Sequence, residues 1–318
     1  MSNPWEQEPC KSGLVSLGPN HALHLSVSGP ARQPGQPLVV IIPGLGASAA
    51  EWVAVNRLAT QFSRVLLYDR SGYGLSSETT TSPITAVGIA SELDSLLRAV
   101  ELSGPFVIVC HSWGGIIGRE FLHLRPDDVA GIVFVDANQE LNTTEDPWPS
   151  PFVRSLARGL DFLEVTGTTQ NHKLLPDEWQ AYLDEEHSVK HERVAAAEAA
   201  GYRDSGPVLA QKKQLQARPP LLGDRPISVL KGRAERDFEK VYEAGIKAGN
   251  GTEEERAQFR EAFKTYGALT EAWQRETMKL SNNSRWGFAE KSGHNVQFTE
   301  PEVIVEDLQW VLSHLVLN

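Results

Sequence analysis

The sequence predicts an α/β fold on a mainly parallel sheet. Three observations carry this. Apolar runs recur that are continuous rather than alternating, helix-spaced stretches lie between them, and turn residues punctuate the joins. A continuous apolar run marks a strand buried on both faces, as parallel sheets require. Alternation of such runs with helices is the pattern of an α/β domain.

The elements follow in order. "GLVSLGPNHALHLSVSG" alternates apolar and polar residues around Gly18-Pro19-Asn20 and reads as a leading hairpin. "PLVVIIPG" (37–44), "SRVLLYD" (63–69), "FVIVC" (106–110), "GIVFVDA" (131–137), "PISVLKG" (226–232) and "RWGFAEKSG" (285–293) read as the later strands. Residues 84–102 carry Ile84, Val87, Leu93, Leu96, Leu97 and Val100 at helical spacing. Residues 113–125 form a second helix that Pro126 stops. Residues 300–315 form the last, with Ile304, Leu308, Val311, Leu312 and Leu315 on one face. Thr299 and Glu302 match a capping box at its start.

Two segments interrupt the alternation. Residues 139–223 are polar and helix-prone, and bear Trp148, Phe152, Phe162, Trp179, Tyr182 and Tyr202. Residues 235–268 are charged and helical. The expected organisation is a core of 1–138 and 224–318, a helical cap of 139–223, and a further helical insertion at about 235–268 within the core. A cap would lie over the carboxyl ends of the strands, where open α/β sheets bind ligands. Trp148, Phe152 and Trp179 are its candidate substrate contacts. "DEWQAYLDEEH" reads as a solvated helix face.

Composition narrows the function classes. The 318 residues are 41% apolar and 22% charged, ordinary for a globular protein. A net charge of −11 argues against nucleic acid or an anionic membrane as partner. Cys10, in a polar tail, and Cys110, at a strand end, do not make a disulfide framework. The start has neither a basic leader nor a signal-length apolar core, and no apolar run spans a bilayer. A cytoplasmic protein is expected. No G-K-[ST] loop is present, and His187 and His191 have no third ligand, so neither a cofactor nor a metal is expected.

Ser112 is the candidate nucleophile. It follows a buried strand and precedes Gly114-Gly115, the context of a strand–turn–helix elbow. A plain helix N-cap is the competing reading. The usual elbow is G-x-S-x-G, and Cys110 stands where the first Gly would be. A serine hydroxyl needs a base, a group that orients the base, and donors for the oxyanion. His294, at a late strand-to-helix junction, is the candidate base, and His111 reads as structural and turned away from Ser112. Asp136, ending "GIVFVDA", and Glu235, just past "VLKG" with Asp237 beside it, both satisfy the chain order Ser–acid–His. A triad acid should be sheltered, which favours Asp136 over Glu235 in its charged run. Asp69 and Arg70 read as members of a structural network.

"PGLG" (43–46), "DRSGYGLS" (69–76), "HSWGG" (111–115) and "SGH" (292–294), in that order, resemble the α/β-hydrolase superfamily. The likeness covers nearly the whole chain outside the two insertions. It implies an eight-stranded, mostly parallel sheet with flanking helices, a Ser–acid–His triad, and an oxyanion hole of backbone N–H groups. Those groups would be the N–H of Leu45 and of Trp113. Pro43 stands where the superfamily usually has a His, a change that spares backbone donors. Placing the acid at Asp136 resembles zearalenone-type lactone hydrolases.

The resulting expectation is a serine esterase or lactonase acting on a small hydrophobic molecule through an acyl-enzyme. C–C bond hydrolysis and hydroxynitrile-lyase chemistry use the same triad and stay open. So does a non-hydrolytic ligand-binding protein on this fold.

Overall fold

The continuous apolar runs form the centre of one sheet in the computed structural model, which describes residues 3–78, 82–148 and 150–315. The strands are β1 (Cys10–Gly18), β2 (His21–Ser28), β3 (Leu38–Ile42), β4 (Arg64–Tyr68), β5 (Phe106–His111), β6 (Val129–Val135), β7 (Ile227–Lys231) and β8 (Ser284–Phe288). They lie in the order β1-β2-β4-β3-β5-β6-β7-β8. β1–β2 and β2–β4 pair antiparallel, and every later pair is parallel. This is the α/β-hydrolase fold: a mostly parallel eight-stranded sheet flanked by helices. Cys10 opens β1 rather than lying in a tail, and both cysteines are free thiols.

Because strand side chains alternate between faces, each central strand feeds two cores. Ile108 and Cys110 of β5 pack with Val40, Ile42 and Phe134 under the helices Ala86–Ala99 and Gly114–Leu124. Val107 and Val109 pack on the opposite face with Val39, Ile41 and Val133, under Val53–Ala59 and Pro301–Ser313. Each of these fully buried aliphatic side chains contributes on the order of 1.5–3 kcal/mol. That is why the strand pattern was so legible.

One expected detail is not formed. The helix Pro301–Ser313 is capped by Glu300, with Pro301 in its first turn, and Thr299 instead ends the short helix Val296–Thr299. The Thr299 hydroxyl bonds the Ser292 hydroxyl and donates to the Asn295 carbonyl.

The two insertions meet. Residues 139–223 fold into short helices and the long helix Val189–Ala210. Residues 234–276 form three more, Ala234–Lys247, Glu253–Phe263 and Tyr266–Glu276. Phe152, Val153 and Leu156 of the first insertion pack on Phe238, Phe259 and Phe263 of the second. The second insertion's apolar face closes against the first, and both cover the carboxyl ends of the strands. Among the described residues no helix is long and apolar enough to cross a membrane.

Candidate active site

Ser112 sits at the first turn after β5, with φ of 51°. A non-glycine residue in the left-handed region is strained by about 1 kcal/mol or more and persists only where its surroundings fix it. Here the Ser112 N–H donates to Val135 O at 3.3 Å, and its carbonyl accepts from Asn138 N at 2.8 Å and Gly115 N at 2.9 Å. Gly114 must be glycine, because a Cβ there would run into the Ile42 and Pro43 carbonyls. Cys110 is fully buried and its sulfur faces Gly118 on the following helix.

Asp136 follows β6 and also has positive φ, 37°. Its Oδ2 lies 2.6 Å from His294 Nδ1. Its Oδ1 accepts from Gly232 N at 3.1 Å and from Gln274 Nε2 at 2.8 Å. Burial alone would raise this carboxyl, but the hydrogen bond and charge of His294, with Lys231 and Gln274, outweigh it and hold Asp136 well below the usual carboxylate range. Burial likewise disfavours the charged form of His294. Asp136, with Asp237 and Asp146 beyond it, outweighs that and raises the imidazole. Glu235 is elsewhere: it pairs with Lys231 Nζ at 3.4 Å and Arg233 at 3.9 Å, and its side chain abuts Gly267. The structure thus brings Asp136 to His294, and not Glu235.

The backbone of His294 is also fixed. Its N–H donates to Asp237 Oδ2 at 2.7 Å, and burial pushes that carboxyl up to about 6. Its carbonyl accepts from His111 Nε2 at 3.0 Å, and the two rings lie 4.6 Å apart. His111 therefore does not turn away from the site; it packs against the base. Burial, then repulsion by His294, pushes its pKa down to about 3, so it is a neutral prop with its proton on Nε2.

Ser112 and His294 line a cavity of about 250 Å³ with the apolar or aromatic Leu45, Trp148, Phe162, Tyr202, Phe238 and Tyr266 and with the polar Asn138, Asp146 and Asp237. They make no hydrogen bond to each other, an arrangement often seen before a substrate binds. Of the expected cap aromatics only Trp148 lines this cavity. Phe152 packs into the seam between the insertions, and Trp179 stacks on His172 at 4.0 Å beside Tyr182 and Phe298. Phe238 and Tyr266 escaped the sequence reading because they sit in a charged stretch.

The loop carrying Leu45 is held by a buried network. Arg70 donates to the carbonyls of Pro43 (3.0 Å), Gly44 (2.8 Å) and Ala47 (3.0 Å). Glu198, from the long helix of the first insertion, pairs with Arg70 at 2.9 Å and accepts from Gly46 N and Tyr73 Oη. His191 on the same helix bonds Gly46 O at 2.8 Å. It is buried. Arg70 is structural, as expected, but its partner lies across the molecule. Removing one partner of a buried ion pair costs about 3–5 kcal/mol. Glu198→Ala is therefore expected to destabilise the fold by about that amount, read as a lower urea midpoint. An unchanged midpoint would show that the loop does not depend on this clamp.

A family model described as "Alpha/beta hydrolase family" matches residues 39–307. A protein from Gibberella zeae named "AB hydrolase superfamily protein" is 34% identical over 98% of this chain and 99% of its own length. A longer protein from Hormonema carpetanum, named a probable transporter, efuK, is 29% identical over 98% of this chain, which spans 44% of it. Among solved structures, a lipase candidate from Acinetobacter baumannii superposes with a TM-score of 0.65 at 16% identity, covering 98% of this chain and 93% of its own. The chain belongs to the α/β-hydrolase family.

Proposed function

We propose that this chain is a serine hydrolase that cleaves a carboxylic ester or lactone of a small hydrophobic molecule. The observation that carries the reading is the 2.6 Å contact of Asp136 with His294, at a cavity edge shared with the strained Ser112. His294 takes the proton as Ser112 Oγ attacks the carbonyl, then gives it to the leaving oxygen. Asp136 holds Nδ1–H and stabilises the imidazolium. The N–H groups of Leu45 and Trp113, which have no acceptor among the described residues, receive the oxyanion. Water then attacks the acyl-enzyme by the same route. The largely apolar walls supplied by Phe162, Phe238, Trp148 and Tyr266 suit a hydrophobic substrate and keep water out.

The test is turnover of p-nitrophenyl acetate, with labelling of Ser112 by a fluorophosphonate probe. No turnover and no labelling would overturn the proposal. The reaction also carries a pH signature. His294 must be neutral to accept a proton, and its pKa is raised above the ordinary 6.5 by Asp136 despite burial. Activity is therefore lost as pH falls through that raised value. The acid limb of kcat/KM against pH is expected to have its midpoint above 6.5. A midpoint below 6.5 would contradict the pairing.

A further inference from the structure

Asp237 stands in the first turn of the helix Ala234–Lys247 and is 5% exposed. The stretch from Gly232 to Asp237 runs beside the stretch from Ser292 to His294 and meets it at three points. Arg233 N donates to Ser292 O at 3.0 Å, a Cβ on Gly232 would stand 2.2 Å from Gly293 O, and His294 N donates to Asp237 Oδ2 at 2.7 Å. The carboxylate lies hard against Gly293, where a Cβ would be 2.0 Å from either oxygen. The glycine before the base is therefore required by the close approach of this side chain. Asp237 also lines the chamber that holds Ser112 and His294.

The charge on Asp237 has no dedicated counter-ion. Its Oδ1 makes no hydrogen bond and the carboxylate makes no ion pair among the described residues. Lys240, one turn on, gives its Nζ to Thr166 O, and Lys231 gives its own to Gly232 O and Glu235. Burial pushes Asp237 up to about 6, against the N–H and charge of His294 and the charge of Lys240. That is still below the raised imidazole, so at neutral pH an ionised Asp237 stands beside a neutral His294. The other groups that face the imidazole are Asp136 on Nδ1, Asp146, and the neutral ring of His111. Asp146 is itself held by Trp148 N and the Tyr266 hydroxyl. A carboxylate that lacks a partner at rest gains one when His294 becomes an imidazolium. An attraction present in the transition state and missing from the ground state accelerates the step.

We propose that Asp237 is a positioning residue for the base: its carboxylate fixes the main chain of His294 and supplies, beside Asp136, a second negative charge for the imidazolium that forms as Ser112 gives up its proton. The two acids divide the work. Asp136 orients the ring through Nδ1, and Asp237 holds the backbone that carries it. The catalytic consequence rests on the hydrolase reading; the hold on the protonation of His294 does not.

Asp237→Asn tests this in the full chain. Asparagine keeps the shape, and its carbonyl oxygen can still accept from His294 N, so the change removes charge and spares the contact. Two quantities are read. Proton NMR follows the titration of the His294 ring, assigned by its absence from His294→Gln. The midpoint is expected to move to lower pH, because a negative charge beside the imidazolium has gone. Turnover of p-nitrophenyl acetate is expected to fall roughly tenfold on the alkaline plateau, with the acid limb displaced in the same direction as the NMR midpoint. A structural role alone would leave both midpoints where they were. Asp237→Ser, smaller and also neutral, serves if the asparagine variant does not fold. An unmoved His294 midpoint overturns the proposal, even if turnover falls. A lowered midpoint in a chain that turns over no ester leaves the hold of Asp237 on His294 standing and removes the hydrolase reading. Turnover with an unmoved midpoint does the reverse.

Discussion

Ser112→Ala is expected to lower kcat/KM for p-nitrophenyl acetate by roughly 10⁴- to 10⁶-fold. That is about 5–8 kcal/mol of transition-state stabilisation. The size follows from covalent catalysis: without Oγ no acyl-enzyme forms, and only the oxyanion donors and the binding cavity remain to act on water. The fold should not suffer. Alanine keeps the Cβ, and the contacts that hold the turn are backbone ones, from Ser112 N to Val135 O and from Ser112 O to Gly115 and Asn138. Alanine also tolerates positive φ about as poorly as serine, so a small change in urea midpoint is expected. A variant that retains wild-type turnover while folding normally would remove the nucleophile from the proposal.

What could be read from the sequence divides along physical lines. The strands were legible because burial on both faces leaves continuous apolar runs such as "PLVVIIP" and "FVIVC". Ser112, Asp136 and His294 were legible because each stands where a strand stops, so local pattern and chain order point at them together. What failed was of another kind. His191, Asp237 and Glu186 lie in stretches that read as charged surface, yet His191 and Asp237 are buried and Glu186 lines a cavity. A charge pattern reports how a helix meets solvent only when nothing distant covers it. Here the cover is the core's own loops: His191 meets Gly46 and Tyr73, Asp237 meets the His294 backbone, and the Arg70–Glu198 pair is 128 residues apart in sequence. Likewise His111 was judged from the pleat of its own strand, while its position is set by His294, 183 residues away. Strand alternation gives the direction of a side chain but not the neighbour that arrives from elsewhere.

The second large effect is expected from Asp136→Asn, and its geometry can be followed atom by atom. Asp136 Oδ1 is held by two donors, Gly232 N–H and Gln274 Nε2. An asparagine must keep its carbonyl oxygen there, because turning the amide around would set NH₂ against both donors. Its NH₂ then occupies the place of Oδ2, 2.6 Å from His294 Nδ1. That nitrogen can no longer donate and must accept. The proton moves to Nε2, so the ring presents N–H rather than a lone pair toward Ser112. The base is lost without displacing it, and turnover is expected to fall roughly 10⁴-fold. Two further readouts distinguish this from loss of structure. The fluorophosphonate label on Ser112 should slow in parallel with turnover, because both need the same proton acceptor. The urea midpoint should move much less than the activity, because both Oδ1 contacts survive. Glu235→Gln is the matched control. Glu235 touches Lys231, Arg233 and Gly267 and makes no hydrogen bond to His294, so its activity should stay within a few-fold of wild type. A collapse in Glu235→Gln with Asp136→Asn spared would reverse the assignment of the acid. It would also require the chain to move the 231–237 segment by a distance that the hydrogen bonds of Gly232 to Asp136 and of Arg233 to Ser292 oppose.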